Sequence, residues 1–234
     1  MSKVNKAIIM AAGKGERMRP LSNSIPKPLI KVNRVPMIES VIEALRENDI
    51  HEIYAVVGYL KEQFEYLTKK YPGVTLIENP YYDTCNNISS LYVAREHLEN
   101  AFVLDGDQVI YNTKVLNPAF TKSGYNAVWT DVYTNEWLMQ TDENEKILSC
   151  SRTGGKNGWQ LFSISRWNKE DAKIIKKALE TEFEKNKNTQ IYWDDVVMFD
   201  YFKAFDLTVY EMKKGDIIEI DSLDELKAID PSYR

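Results

Sequence analysis

Cysteine and histidine are nearly missing from this chain, with two of each among 234 residues. Cys85 and Cys150 are too few for a disulfide framework, and no Cys/His spacing resembles a zinc-ligand cluster. His51 and His97 fall at expected helix ends or surface positions, so histidine-based acid–base chemistry is not expected. Long apolar runs are also missing. The longest, Ala7–Ala12 and Tyr54–Val57, fall far short of the roughly 20 residues of a spanning helix. The N-terminus has a basic start and a short apolar stretch, but a Gly/Lys/Arg loop stands where a small-residue cleavage site would be, so it does not read as a signal peptide. The expected compartment is the cytoplasm, and free cysteines fit a reducing one. Positive charge is not in excess: 30 Lys and Arg against 35 Asp and Glu leave a net charge of −5. That argues against a nucleic-acid binder, although a local basic pocket fits. No Pro/Gly/Ser-rich linker, internal repeat or low-complexity tract divides the chain.

What is present is ordinary globular composition, 44% hydrophobic and 28% charged, in a chain long enough to bury a core without staples. Short β-branched runs alternate with helical periodicity through the first hundred residues. Strands are expected at Lys6–Met10, Glu52–Val57, Val74–Ile77 and Ala101–Leu104. Helices are expected around Met37–Leu45, Leu60–Leu67 and Ser89–His97. Such alternation implies an α/β fold, a Rossmann-like mixed and mostly parallel sheet with helices on both faces. Its strand C-termini should form the ligand edge. After about residue 112 come short strand-like pieces, a long helix at Lys169–Lys187, strands at Leu207–Glu211 and Ile217–Ile220, and a terminal helix at Ser222–Ile229. One domain over residues 1–234 is expected, with residues 113–234 adding a small β subdomain to residues 1–112.

The sequence Ala11-Ala12-Gly13-Lys14-Gly15-Glu16-Arg17-Met18-Arg19-Pro20 directly follows the first strand. Gly13 and Gly15 let backbone amides approach phosphate oxygens, and Lys14, Arg17 and Arg19 add positive charge. The loop is not a Walker A motif, and Met18 stands where a dinucleotide fingerprint needs its third glycine. Alone, it reads either as an anion site or as a strand-exit turn with solvated charges. In Ile25-Pro26-Lys27-Pro28-Leu29 the prolines disfavour helix around Lys27. The lysine is then either a stiffened phosphate ligand or an exposed residue of an extended loop.

Taken together, A-A-G-x-G-x-R, then P-K-x-L, then Pro36-x-Ile38-Glu39 resemble the nucleotidyltransferase signature of the sugar-nucleotide pyrophosphorylase superfamily. Three later stretches look most like bacterial CTP:phosphocholine cytidylyltransferases: Asn86-Asn87 with Ser90-Leu91-Tyr92, Thr134-Asn135-Glu136-Trp137, and Tyr192-Trp193-Asp194. The resemblance implies a Mg²⁺-dependent transfer of CMP from CTP to phosphocholine, with Arg17, Lys27 and Asp107 in the catalytic centre. It implies Asp107, in Asp105-Gly106-Asp107, and Asp221, in Glu219-Ile220-Asp221-Ser222, as metal ligands, with Asp105 in support. By the same resemblance, the Ala11, Ala12, Gly13 and Gly15 backbone, with Asn86, Asn87 and Ser89, holds the nucleotide. Asp221 reads alternatively as a helix N-terminal acid, and Asn87 or Ser89 as a helix cap.

A quaternary ammonium offers no N–H and is best held by aromatic faces, with carboxylates adding longer-range attraction. Glu136-Trp137 and Tyr192-Trp193-Asp194 supply both, although Trp137 and Trp193 read equally as core aromatics. In the loop Ser151–Lys156, which also carries Arg152, Lys156 is the candidate for the acceptor phosphate. Rival readings are a 2-aminoethylphosphonate or phosphoethanolamine cytidylyltransferase, a sugar-1-phosphate nucleotidyltransferase, and a catalytically silent nucleotide-binding regulator. The expected partners are small-molecule substrates, with no nucleic acid and no membrane, in a monomer or homodimer.

Overall fold

The computed structural model describes residues 2–233. Its first half runs β1 (Lys6–Ala11), α1 (Met37–Glu47), β2 (Glu52–Val57), α2 (Glu65–Lys70), β3 (Val74–Glu78), α3 (Ile88–Ala94) and β4 (Ala101–Asp105). These strands lie side by side in the order β4-β1-β2-β3, all parallel. Alternation along β1 explains the layering. Ala7, Ile9 and Ala11 enter one core with Ile38, Val41, Ile42 and Leu45 of α1 and Leu67 of α2. Ile8 and Met10 enter the other with Ile88 and Leu91 of α3. A strand buried on both faces needs apolar residues at every position, and the run Ala7-Ile8-Ile9-Met10-Ala11 has them.

The second half adds β5 (Gln108–Ile110), β6 (Gly124–Thr130), β7 (Leu138–Thr141), β8 (Ile147–Ser151), β9 (Gly158–Trp167), α4 (Lys169–Glu180), α5 (Trp193–Asp195), β10 (Thr208–Met212), β11 (Ile217–Glu219) and α6 (Leu223–Ile229). The sheet is nine-stranded, in the order β8-β7-β9-β4-β1-β2-β3, with β6 pairing β9 and β10. Strands from both sides of residue 112 therefore share one sheet, as a mixed α/β fold requires. The long helix expected at Lys169–Lys187 is α-helical only to Glu180 and then loosens into a π turn at Thr181–Lys185. Lys27–Leu29, expected to be extended, forms a 3₁₀ turn with Pro28 inside its first turn, where a missing N–H is harmless. Ser222 caps α6, and Glu225 returns the bond in a capping box.

Two features of the sheet place the site. The ten-residue β9 pairs with β4 only over Ile164–Trp167 and with β7 only over Trp159–Gln160. Between them this edge of β9 has no laddered neighbour, and a cleft opens there over Leu161 and Ser163. The second feature is a separate ribbon in which β5 and β11 pair antiparallel, with Glu219 opposite Gln108. It fastens the segment after β11 to the turn after β4. Among the described residues, no helix is long and apolar enough to cross a membrane.

Candidate active site

Lys27 lines this cleft of about 330 Å³. It is only 7% exposed. Its Nζ stands 2.5 Å from Asp107 Oδ2 and 2.7 Å from Asp221 Oδ1, and Arg17 Nη2 reaches Asp221 at 3.0 Å. Burial opposes the charge on Lys27, but the two carboxylates outweigh it and hold the ammonium pKa above the ordinary lysine value. Burial likewise opposes the Asp221 charge, and Lys27 and Arg17 overcome it to hold that carboxyl below the usual range. Asp107 and Asp221 meet because of the ribbon: β5 and β11 pair, and the Ile220 N–H reaches the Asp107 carbonyl at 3.4 Å. Gly15 makes the close packing possible. Its φ is +60°, and a Cβ there would lie 2.6 Å from Lys27 Cβ.

The two acids fit a hard divalent ion. Both present carboxylate oxygens to a single cationic point, at present the Lys27 ammonium. Among the described residues no three His, Cys, Asp or Glu side chains form a self-sufficient metal cluster. Mg²⁺ suits such a half-site, because it takes one or two carboxylates and completes its shell with phosphate oxygens and water.

More acid lies deeper in the cleft. Asp105, Asp194 and Glu219 join the wall, with Ser163 between strands. Burial, then the neighbouring Asp107 and Glu219, pushes the Asp105 carboxyl well up. Burial and Asp107 raise Glu219 to about 7, against a hydrogen bond from Gln108 Nε2 at 2.8 Å. Burial raises Asp194 to about 7, against the pull of the nearby Tyr125 hydroxyl. That hydroxyl and Asp194 Oδ1 are both shut off from solvent.

Another part of the cleft wall is aromatic. Trp137 and Tyr192 stand edge to face, 6.3 Å apart at 86°, beside Glu136. Trp193 is not part of this wall. It is 4% exposed, lies 6.1 Å from Tyr125 in a stack, and meets Trp167 edge-on. Of the two readings open to it, the structure gives Trp193 the core. Lys156 is exposed and lies off the cleft wall, on a loop whose Gly155 exchanges backbone hydrogen bonds with Thr134.

The expected nucleotide residues divide in the same way. Ala11 and Ala12 are buried, and Gly13 opens the loop to solvent, with nothing within 4 Å of where its Cβ would be. Lys14 pairs with Asp83, joining the glycine loop to the turn before α3. Asn87 lines the cleft, and its Oδ1 accepts the Trp193 backbone N–H at 2.9 Å. The Asn86 amide is spent on the Gln190 carbonyl at 3.1 Å. Ser89 is 1% exposed and bonded to the Asn86 carbonyl and to Asn79, so its hydroxyl is internal to the fold, not presented to the cleft. Sequence reading gave no role to Glu219, Ser163 or Leu161. Glu219 could have been found, because it lies two residues before Asp221 and alternate residues of an extended segment share a face. Ser163 carries no local signal.

A glycine loop at a strand C-terminus, a buried lysine and two converging carboxylates define a nucleotidyltransferase. Residues 7–156 match the MobA-like NTP transferase domain, and the chain belongs to that family. It is 39% identical over 229 residues to the 2-aminoethylphosphonate cytidylyltransferase of Lancefieldella rimae, covering 97% of this chain and 92% of that one. It is 37% identical over 225 residues to the choline-phosphate cytidylyltransferase of Streptococcus pneumoniae, covering 96% of each. The solved structure of the Streptococcus pneumoniae CTP:phosphocholine cytidylyltransferase superposes with a TM-score of 0.90, at 37% identity, over 98% of this chain and 99% of that one.

Proposed function

We propose that this nucleotidyltransferase moves CMP from CTP to phosphocholine, giving CDP-choline and pyrophosphate. The observation that carries this reading is that the aromatic pair Trp137 and Tyr192, with Glu136, lines the same cleft as Lys27, Asp107 and Asp221. An acceptor phosphate oxygen attacks the α-phosphorus in line and pyrophosphate departs. The attacking oxygen is already anionic, so the protein needs no strong base and works by positioning and charge stabilisation. Lys27 and Arg17 place positive charge at the phosphates. The amides of Gly13–Gly15 approach the triphosphate, and the Ala11–Gly13 backbone with Asn87 faces the base. Mg²⁺, held by Asp107 and Asp221, would neutralise the triphosphate. Residues 1–112 serve the nucleotide and residues 113–234 the acceptor. The cleft is complete within one chain, which suits a monomer or homodimer, and consumption of CTP fits the cytoplasm.

One observation favours a second reading. Glu136, exposed on the cleft lining, can accept an N–H from a primary ammonium such as that of 2-aminoethylphosphonate, but not from a trimethylammonium. A pyrophosphate-release assay crossing CTP, UTP, dTTP and ATP with phosphocholine, 2-aminoethylphosphonate and glucose-1-phosphate decides. Turnover is expected with CTP and phosphocholine. Turnover of 2-aminoethylphosphonate with phosphocholine inert selects the second reading, and turnover of glucose-1-phosphate alone overturns both.

Trp137→Ala is expected to raise the phosphocholine KM about tenfold, the loss of one desolvated aromatic face, and to leave kcat and the CTP KM within about twofold. An unchanged KM with a lowered melting temperature would return Trp137 to a supporting role in the core.

A further inference from the structure

We infer that Arg152 is a positioning residue of the acceptor cage: from outside the cleft it fixes both rings of the aromatic lining, Tyr192 through Asp195 and Trp137 through Phe199. The inference deepens the acceptor reading above and rests on it. The buried Asp195 divides its two oxygens. Oδ1 accepts from Arg152 Nε at 2.7 Å, and Oδ2 accepts the backbone N–H of Tyr192 at 2.9 Å. The Tyr192 ring is half exposed. Packing alone therefore restrains it weakly, and the capped backbone sets where it stands. The same guanidinium lies over the Phe199 ring, 3.5 Å from its centroid. Phe199 in turn meets Trp137 edge to face at 5.3 Å and 75°. Trp137 and Tyr192 close the circuit on each other.

Arg152 contacts Asp195 and Phe199 together, and it is absent from the cleft lining. Its chemistry suits the post. A planar guanidinium can pair with a carboxylate at its edge and stack on a ring with its face, whereas an ammonium can do only the first well. Without Arg152, Asp195 would remain a buried carboxylate lacking its cation, beside Asp194, and Phe199 would lose the plate that holds it against Trp137. The cage is thereby tied to the Ser151–Lys156 loop without that loop entering it.

The experiment compares wild type with Arg152→Ala and Arg152→Lys, using three readouts: the CTP KM, the phosphocholine KM, and the Ki of choline as a competitor of phosphocholine. If Arg152 positions the cage, Arg152→Ala raises the phosphocholine KM and the choline Ki by the same factor, about tenfold, with the CTP KM within about twofold. Arg152→Lys, which keeps the ion pair and loses the stack, falls between. Adding Asp195→Asn to Arg152→Ala makes the acceptor KM no worse than the poorer single variant, because the two residues act in one chain. A choline Ki that stays put while the phosphocholine KM rises overturns the inference, since Arg152 then grips the acceptor phosphate directly. A parallel loss of CTP and acceptor binding with a fall in melting temperature also overturns it, in favour of general support. Wild-type turnover is the separate control on the acceptor reading. If phosphocholine is inert and 2-aminoethylphosphonate is used, the same comparison is run with 2-aminoethylphosphonate and ethylamine, and the ratio decides Arg152 as before.

Discussion

Asp107→Asn is expected to lower the rate of CTP-dependent pyrophosphate release by about 10³-fold, the scale of several kcal/mol of lost charge stabilisation. The melting temperature should move little, by about 3 °C or less. The two expectations separate because Asp107 is placed by backbone, not by its own packing: β4 ends at Asp105, the ribbon of β5 and β11 holds the turn, and Lys27 keeps Asp221 as a partner. Asparagine keeps the shape and removes the charge, so the ammonium of Lys27 remains paired while a cation site is halved. Direct Mn²⁺ binding in the presence of CTP should weaken in the same variant. Wild-type rates would remove Asp107 from the centre. A collapse of the melting temperature alongside the rate would instead make it a fold residue.

The sequence made the sheet legible where burial is two-sided. In β1 and β2 nearly every position is apolar, and α1 carries its stripe at Ile38, Val41, Ile42 and Leu45. The elements hardest to foresee were the short ones. The three-residue β5 carries no periodicity, yet its pairing with β11, which was expected at Ile217–Ile220, is what brings Asp107 and Asp221 together. Trp137 and Trp193 show a different limit. Each stands beside acids in a polar segment, and no local pattern separates them. Their fates diverge because Trp193 opens a helical turn over Tyr125 and Trp167, whereas Trp137 precedes a strand at the open edge of β9. Ser89 was misleading for a similar reason: a small polar residue at the first turn of α3 can face ligand or core, and here Asn79 and the Asn86 carbonyl hold it inside. Asn87, beside it, is the residue whose amide reaches across to the Trp193 segment and the cleft.

Lys27→Met is expected to lower kcat by about 10²–10³-fold, the range for removing one preorganised donor from a transition state that develops charge. It should also do something Asp107→Asn does not. In the free protein the lysine is the cation between Asp107 and Asp221, at 2.5 and 2.7 Å. Methionine fills similar volume without charge, so the two carboxylates are left facing each other, with Arg17 on Asp221 as the remaining counterion. Like charges at that separation attract a small divalent ion more strongly than a site already neutralised from within. Mn²⁺ binding without nucleotide should therefore tighten in Lys27→Met, even as turnover falls. In Asp107→Asn both decline. Lys27→Arg should not restore the rate, because the side chain is buried and its Cβ packs against the Gly15 backbone, leaving no room for a planar fork. Tighter Mn²⁺ binding with lower kcat identifies a lysine that competes with metal in the resting cleft and serves phosphate during transfer. Unchanged Mn²⁺ binding would mean that the two acids do not share one cation site, and the proposed catalytic centre would lose its metal.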